Sequence, residues 1–386
     1  MLPLAFKSGV RYNRDSMKKL LPLILLLIVG CASPPTAPDS DLALAWTIQT
    51  DGAINQTPLI VGDVILLAPS SAPLRALDLE TGSEQWAFSP PEGIWERAYA
   101  SDGERVFVGV KDKSIAALDV SDGKMIWQKD LGIDMQVPPL VSDGIVYIPT
   151  AFVGPELTPD VHGRAKLFAL DAQTGKEIWV FESDNYILQT PAIHGDTLYL
   201  GGNFYDPRPI DEGGHTRIYA LNLADGSPLW NYESEDGFPK RLYATQETVV
   251  FVAYQDFMNG VDAQTGELRW RFDTGNWTPS FLGAGEAVYF SSANTQVFAV
   301  DANTGETLWQ YDIPEGTFNY LLDVPVLHDG KLYFLTQQGD FFALDAATGD
   351  LLWQSATQVS AARMGPAIEN GWVVIGDIEG KVFGYK

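Results

Sequence analysis

The chain has 386 residues, 46% of them apolar, which is enough to bury a sizeable core and excludes a disordered protein. It carries 50 Asp and Glu against 25 Lys and Arg, a net charge of −25 that argues against nucleic-acid binding, because such a surface repels phosphate backbones. One cysteine excludes an intramolecular disulfide and a cysteine-based zinc site, and 36 Gly and 24 Pro with abundant aromatics point to short strands joined by turns.

The first element in chain order is an apolar run, Leu20 to Val29, preceded by Lys18 and Lys19. It is too short for a membrane span, which needs roughly 20 residues, and it suits the core of a signal peptide. Met17 is the expected true start, and residues 1–30 form the expected signal peptide. The run ends in Ile28-Val29-Gly30-Cys31, which resembles the bacterial lipobox. That resemblance implies acylation of Cys31 and cleavage just before it. Acyl chains contribute about 0.8 kcal/mol per buried methylene, so several of them make a durable anchor. Residues 31–41 then read as a lipidated, Pro-rich, extended tether.

From there on the chain repeats. Seven segments align on one turn: ALDLETGSEQW (76–86), ALDVSDGKMIW (117–127), ALDAQTGKEIW (169–179), ALNLADGSPLW (220–230), GVDAQTGELRW (260–270), AVDANTGETLW (299–309) and ALDAATGDLLW (343–353). Each contains the Gly and ends in Trp: Trp86, Trp127, Trp179, Trp230, Trp270, Trp309 and Trp353. An eighth, Trp46, precedes the first copy. A unit of this length suits a four-stranded propeller blade. In the third unit, period-2 alternation and turn residues predict strands A at Pro138–Val141, B at Ile145–Thr150, C at Leu167–Leu170 and D at Ile178–Phe181. The Asp (Asn222 in the fourth copy) is expected to accept hydrogen bonds from turn amides, the Gly to supply positive φ, and the Trp to wedge between blades. Trp46 has no motif before it, and the C-terminus has strands A to C without a D. Residues 42–49 are therefore predicted to return as strand D beside 362–386, closing one all-β, eight-bladed propeller over 42–386.

Two units depart from the repeat. The Trp-to-Trp spacing rises from 40 (Trp46 to Trp86) to 52 (Trp127 to Trp179) and 51 (Trp179 to Trp230). The extra residues fall between strands B and C, at 151–166 and 201–216, and alternating strand direction predicts that both loops emerge on one face, beside each other. They hold His162 and His215 with several carboxylates, but calcium-loop spacing is missing and no metal is expected. Entering strand A, the units carry Trp95, Tyr186, Phe238, Trp277 and Phe318. Arg97 and Arg241 align with each other and with Thr57, Pro138 and Thr190, near the expected channel mouth. Two aligned arginines suit capture of a carboxylate or phosphate. The alternative is that the aromatics pack between blades and the arginines pair with carboxylates such as Glu96 and Asp236.

The repeated A-x-D-x-x-T-G-x-x-x-W pattern resembles the tryptophan-docking motif of pyrroloquinoline-quinone (PQQ) propellers, over essentially all of 42–386. One branch of that superfamily comprises quinoprotein dehydrogenases that use PQQ with calcium. The other comprises non-catalytic, lipid-anchored scaffolds of the BamB type, which act in outer-membrane protein assembly. The only Cys here is the lipobox Cys31, whereas alcohol dehydrogenases of the family carry an adjacent Cys pair, and no segment matches their calcium cage. Nucleophile and phosphate-binding motifs are also absent. The expectation is an exported, lipid-anchored, monomeric propeller without cofactor. It would sit on the outer face of the cell membrane, or on an outer membrane, and bind envelope proteins. The alternatives are a small-ligand or glycan receptor working through the channel mouth and, less favoured, a PQQ-dependent dehydrogenase.

Overall fold

The computed structural model describes residues 42–151, 164–185, 187–204, 215–234, 241–253, 257–275, 281–292, 296–314, 324–336, 339–359, 362 and 364–386. They form eight antiparallel sheets and, among these residues, no helix. Each sheet is one blade with strands in the order A-B-C-D, and strand A is innermost. The third blade runs Leu140–Ser142, Ile145–Pro149, Lys166–Asp171 and Glu177–Glu182, within one or two residues of the sequence expectation. Inner strands touch their neighbours around the ring: Leu59–Val61 lies against both Ile94–Ser101 and Ala367–Glu369, and Phe281–Ala284 against both Leu242–Ala244 and Val326–His328, while Thr190 Oγ1 donates to Pro138 O at 2.8 Å between blades 4 and 3.

Closure follows the predicted route. Leu44–Gln49 pairs antiparallel with Lys381–Tyr385, so the first described strand is the outer strand of blade 8. Ala43 and Lys386 exchange both backbone hydrogen bonds, each at 3.0 Å, and fix the register at the joint.

There is no single core. Buried apolar residues fall into eight clusters, one in each seam between adjacent blades. Leu66, Leu74, Val106 and Val108 fill the seam between blades 1 and 2, and Ile65, Leu67, Val374 and Val382 fill the seam between blades 8 and 1. Both faces of strands B and C are therefore apolar, and these strands read as continuous hydrophobic runs instead of alternating ones.

The repeated motif is the corner joint of each seam. Its Asp or Asn side chain accepts backbone N–H bonds from the turn, as in Thr174 N to Asp171 Oδ1 at 2.8 Å and Ala224 N to Asn222 Oδ1 at 2.9 Å. The Trp of the preceding blade donates its indole N–H to the carbonyl just after that Asp. Trp127 reaches Ala172 O at 3.0 Å, Trp230 reaches Ala263 O at 3.0 Å and Trp270 reaches Ala302 O at 3.1 Å. The motif Gly serves twice. Gly226 has φ of 71°, and a Cβ there would lie 2.5 Å from the Trp179 ring. Only a residue without a side chain both makes the turn and lets the indole lie flat on it. Trp46, Trp86, Trp127, Trp179, Trp230, Trp270 and Trp309 all dock this way.

Candidate binding surfaces: the rim and the channel

The bases of the two long B–C loops are described, although residues 152–163 and 205–214 lie outside the described residues. In blade 4 the hairpin is longer than the sequence suggested. Thr197–Phe204 and His215–Asn222 pair along their whole lengths, Phe204 opposite His215. The ladder therefore continues past 201 to Phe204, through Gly201, Gly202 and Asn203, where another strand pairs on the opposite side. A second departure from the repeat is a short strand, Ile187–Leu188, that the sequence reading missed. It pairs with Gly202 and Asn203 and makes blade 4 five-stranded. Its other side reaches blade 3. Leu188 N donates to Thr150 O at 3.1 Å, and Ala151 bridges Ile187. Ala151 N also donates to Asp134 O at 2.8 Å, and Ala165 N to Asn185 O at 2.7 Å. One hydrogen-bonded path thus runs from the root of the first loop, through Ile187–Leu188, to the root of the second. The described roots of the two loops therefore lie beside each other, as their positions between B and C require. His162 lies outside the described residues, and His215 is placed only by its backbone at the root of the second loop. Buried Gly202 faces Asn185, whose side chain occupies the space a Cβ would need. The Gly201-Gly202 pair within this strand is the one sequence signal that another backbone approaches there.

The channel is built from all eight blades. It has a volume of about 1020 Å³ and is lined by Thr57, Arg97, Pro138, Thr190, Arg241 and Met364, among others. The aligned position of blades 1 to 5, Thr57, Arg97, Pro138, Thr190 and Arg241, lines this channel, and both arginines lie on it. Among the described lining residues none is Asp or Glu.

Arg97 is placed by a distortion. The inner strand of blade 2, Ile94–Ser101, pairs Ile94 with Val110 and then Tyr99 with Val108, so the residues between them bulge out of the ladder. Bulges re-aim side chains. This one leaves Arg97 exposed in the channel and buries Ala98 against the seam between blades 2 and 3. Trp95, at the same bulge, packs half-buried on that seam, with the Lys111 ammonium 5.4 Å from its ring centre. Glu96 turns away from Arg97: its carboxylate accepts from Ser70 Oγ at 3.1 Å and from Ser71 N at 3.3 Å, tying blade 2 to blade 1. Arg241 donates from Nη1 to Phe281 O at 3.5 Å. Tyr186, Phe238, Trp277, Phe318 and Asp236 lie outside the described residues.

The outer wall is a surface that the sequence reading passed over. Met125 and Ile126 in blade 2, Ile178 and Val180 in blade 3 and Leu229 in blade 4 are all exposed on outer strands. The residue just before each motif Trp was the available signal, since alternation sends it outward when the Trp points inward.

With this geometry in view, comparison with known proteins is direct. The family model described as outer membrane protein assembly factor BamB matches residues 71–234 and 214–385. The chain belongs to this family. Among curated proteins, an outer membrane protein assembly factor BamB from Burkholderia pseudomallei (strain K96243) is 25% identical over 253 residues, covering 60% of this chain and 60% of that protein. A quinoprotein ethanol dehydrogenase from Pseudomonas aeruginosa is 34% identical over 275 residues, covering 61% of this chain and 43% of that enzyme. The match thus spans less than two thirds of either relative. The crystal structure of BamB from Moraxella catarrhalis has a TM-score of 0.63 at 19% identity, over 89% of this chain and 99% of that one, which shows the shared fold. This BamB-family propeller therefore also has dehydrogenases among its relatives.

Proposed function

We propose that this BamB-family chain is a non-catalytic scaffold of the cell envelope, exported, anchored through lipidated Cys31, and holding protein partners on the rim formed by its two long B–C loops. The observation that carries this reading is the shared root of those loops. Ile187–Leu188 bonds to Thr150 and Ala151 on one side and to Gly202 and Asn203 on the other, so the roots of the two long loops share one hydrogen-bonded base. Long loops on a rigid frame are where binding residues concentrate. The name of the matching family, an outer-membrane protein assembly factor, supports partners that are themselves envelope proteins.

The dehydrogenase relatives raise the question of whether PQQ with calcium fits here. Calcium takes six to eight oxygen ligands, mostly carboxylate and carbonyl. The described channel lining offers two guanidinium groups and no carboxylate, and among the described residues no three His, Cys, Asp or Glu side chains cluster as metal ligands. The described residues do not fit a calcium-bound quinone, and no catalytic step is derived through one.

The test is a pull-down of the lipidated protein from its own detergent-solubilised envelope, with and without residues 153–162 and 206–213. The parent is expected to retain a defined set of envelope proteins and the shortened variant to lose them with its melting temperature unchanged. Equal recovery by both would rule out the rim. Dye reduction with alcohols after loading with PQQ and calcium would contradict the non-catalytic assignment.

A further inference from the structure

The channel of this acidic protein is lined against the charge of its surface. The chain carries 50 acidic residues to 25 basic ones, yet the described lining of the channel contains Arg97 and Arg241 and no carboxylate. The carboxylate best placed to neutralise Arg97 is that of the adjacent Glu96, and it is engaged with Ser70 and Ser71 of blade 1. Among the described residues Arg97 has no hydrogen-bond or ion-pair partner. It is exposed in the channel because the bulge between Ile94 and Tyr99 turns it out of the ladder. The three-residue inner strand Leu140–Ser142 of blade 3 has no such bulge.

We infer that the channel is a binding site for a small organic oxyanion, gripped by Arg97 and Arg241 from blades 2 and 5. Three features set the ligand class. A guanidinium presents a fixed fork of donors that matches a carboxylate or phosphate edge. Thr57, at the equivalent position of blade 1, adds a hydroxyl to the same ring, while the Thr190 hydroxyl donates to Pro138 O at 2.8 Å and braces the wall between blades 3 and 4. The volume of about 1020 Å³ is at the upper end of the range for small-molecule sites, roughly 300–1,000 Å³, and is far too small for a folded partner. The acidic exterior repels polyanionic macromolecules, so the occupant is a compact molecule carrying one or more oxyanion groups. This site does not rest on the rim assignment, because no residue of 152–163 or 205–214 contributes to the argument.

Isothermal titration of the full chain in detergent with citrate, and separately with inorganic phosphate, tests the inference; mannitol is the uncharged control. Citrate binding alone assigns the site to carboxylates, phosphate binding alone to phosphates, and either should weaken with added salt. Arg97→Gln should lower affinity at least about tenfold, Arg241→Gln should weaken it as well, and Arg97→Lys should retain part of it. Ligand-free melting temperatures should match the parent for Arg97→Gln, since no partner of that side chain is lost. Failure of both anions to bind the parent at about 10 mM, a concentration above any useful dissociation constant, would overturn the site. So would binding that Arg97→Gln leaves unchanged.

Discussion

Seven seams of the propeller are locked at the outer corner by an indole seated on the next blade, and the seam between blades 7 and 8 is not. Trp353 should dock there by the logic of the repeat. However, the corner it faces is where Leu44–Gln49 and Lys381–Tyr385 meet, so blade 8 has no C–D turn and no motif to receive it. Its ring keeps the contact with the Tyr of its own blade, Tyr333 at 5.9 Å, that docked Trp179, Trp230 and Trp309 also make, and packs on Phe341 at 5.3 Å with Leu42 and Leu44 in the same cluster. Trp46, on the closing strand, docks normally on blade 1 through Leu79 O at 3.0 Å. Closure thus replaces one docked corner with strand pairing, and the ring depends on residues 42–49 at a place where every other blade depends on a turn.

The largest effect should follow from breaking that joint. Deleting 42–49 removes the outer strand of blade 8 together with the Trp46 dock, and exposes the edge of Lys381–Tyr385. Loss of the cooperative melting transition and aggregation are expected, whereas trimming 32–40 should leave the melt unchanged. Equal tolerance of both would contradict closure by this strand.

A smaller effect should separate the corners themselves. Trp270→Ala removes a buried indole and its bond to Ala302 O, and should cost about 3–5 kcal/mol in denaturant unfolding. Trp353→Ala loses packing but no indole bond to a neighbouring blade, and should cost less by roughly 1 kcal/mol. Trp95→Ala, half-buried on the bulge, should also fall below Trp270→Ala. Equal losses at all three would mean that the docked geometry adds nothing.

The smallest expected effect is acid sensitivity of the motif turns. Hydrogen bonds from the Thr81 and Thr174 hydroxyls hold the Asp78 and Asp171 carboxyls below the usual carboxylate range. A folded-state pKa below the unfolded one gives stability that is present above the unfolded value of about 3.9 and is lost as pH falls through the folded one. Melting temperature should therefore drop below about pH 4, and Thr174→Val should flatten part of that drop. A melt independent of pH through this range would remove the carboxylates from the stability of the corners.

The regular blades were legible because each demand on them is local: a Gly for positive φ, an Asp for the turn amides, a Trp one blade away. The same repeat exposed the missing outer strand of blade 8, and the alignment of Arg97 with Thr57, Pro138 and Thr190 placed it on the channel. The rest depends on distant contacts. Ile187–Leu188 became a strand because Thr150 and Gly202, far apart in sequence, offer it backbone partners on both sides, and no periodicity records that. The engagement of Glu96 with Ser70 and Ser71 is likewise a contact between blades, and adjacency in sequence suggested Arg97 as the partner instead.

The scaffold assignment is tested most directly by placing a photo-crosslinking amino acid at two exposed positions on opposite faces. Arg164 lies at the root of the first long loop, and Asp196 lies in the A–B turn of blade 4 between Ala192–His194 and Thr197–Phe204. Irradiation in the native envelope should give discrete protein adducts from position 164 and none from position 196. Adducts of equal yield from both positions, or from 196 alone, would contradict partner binding through the rim.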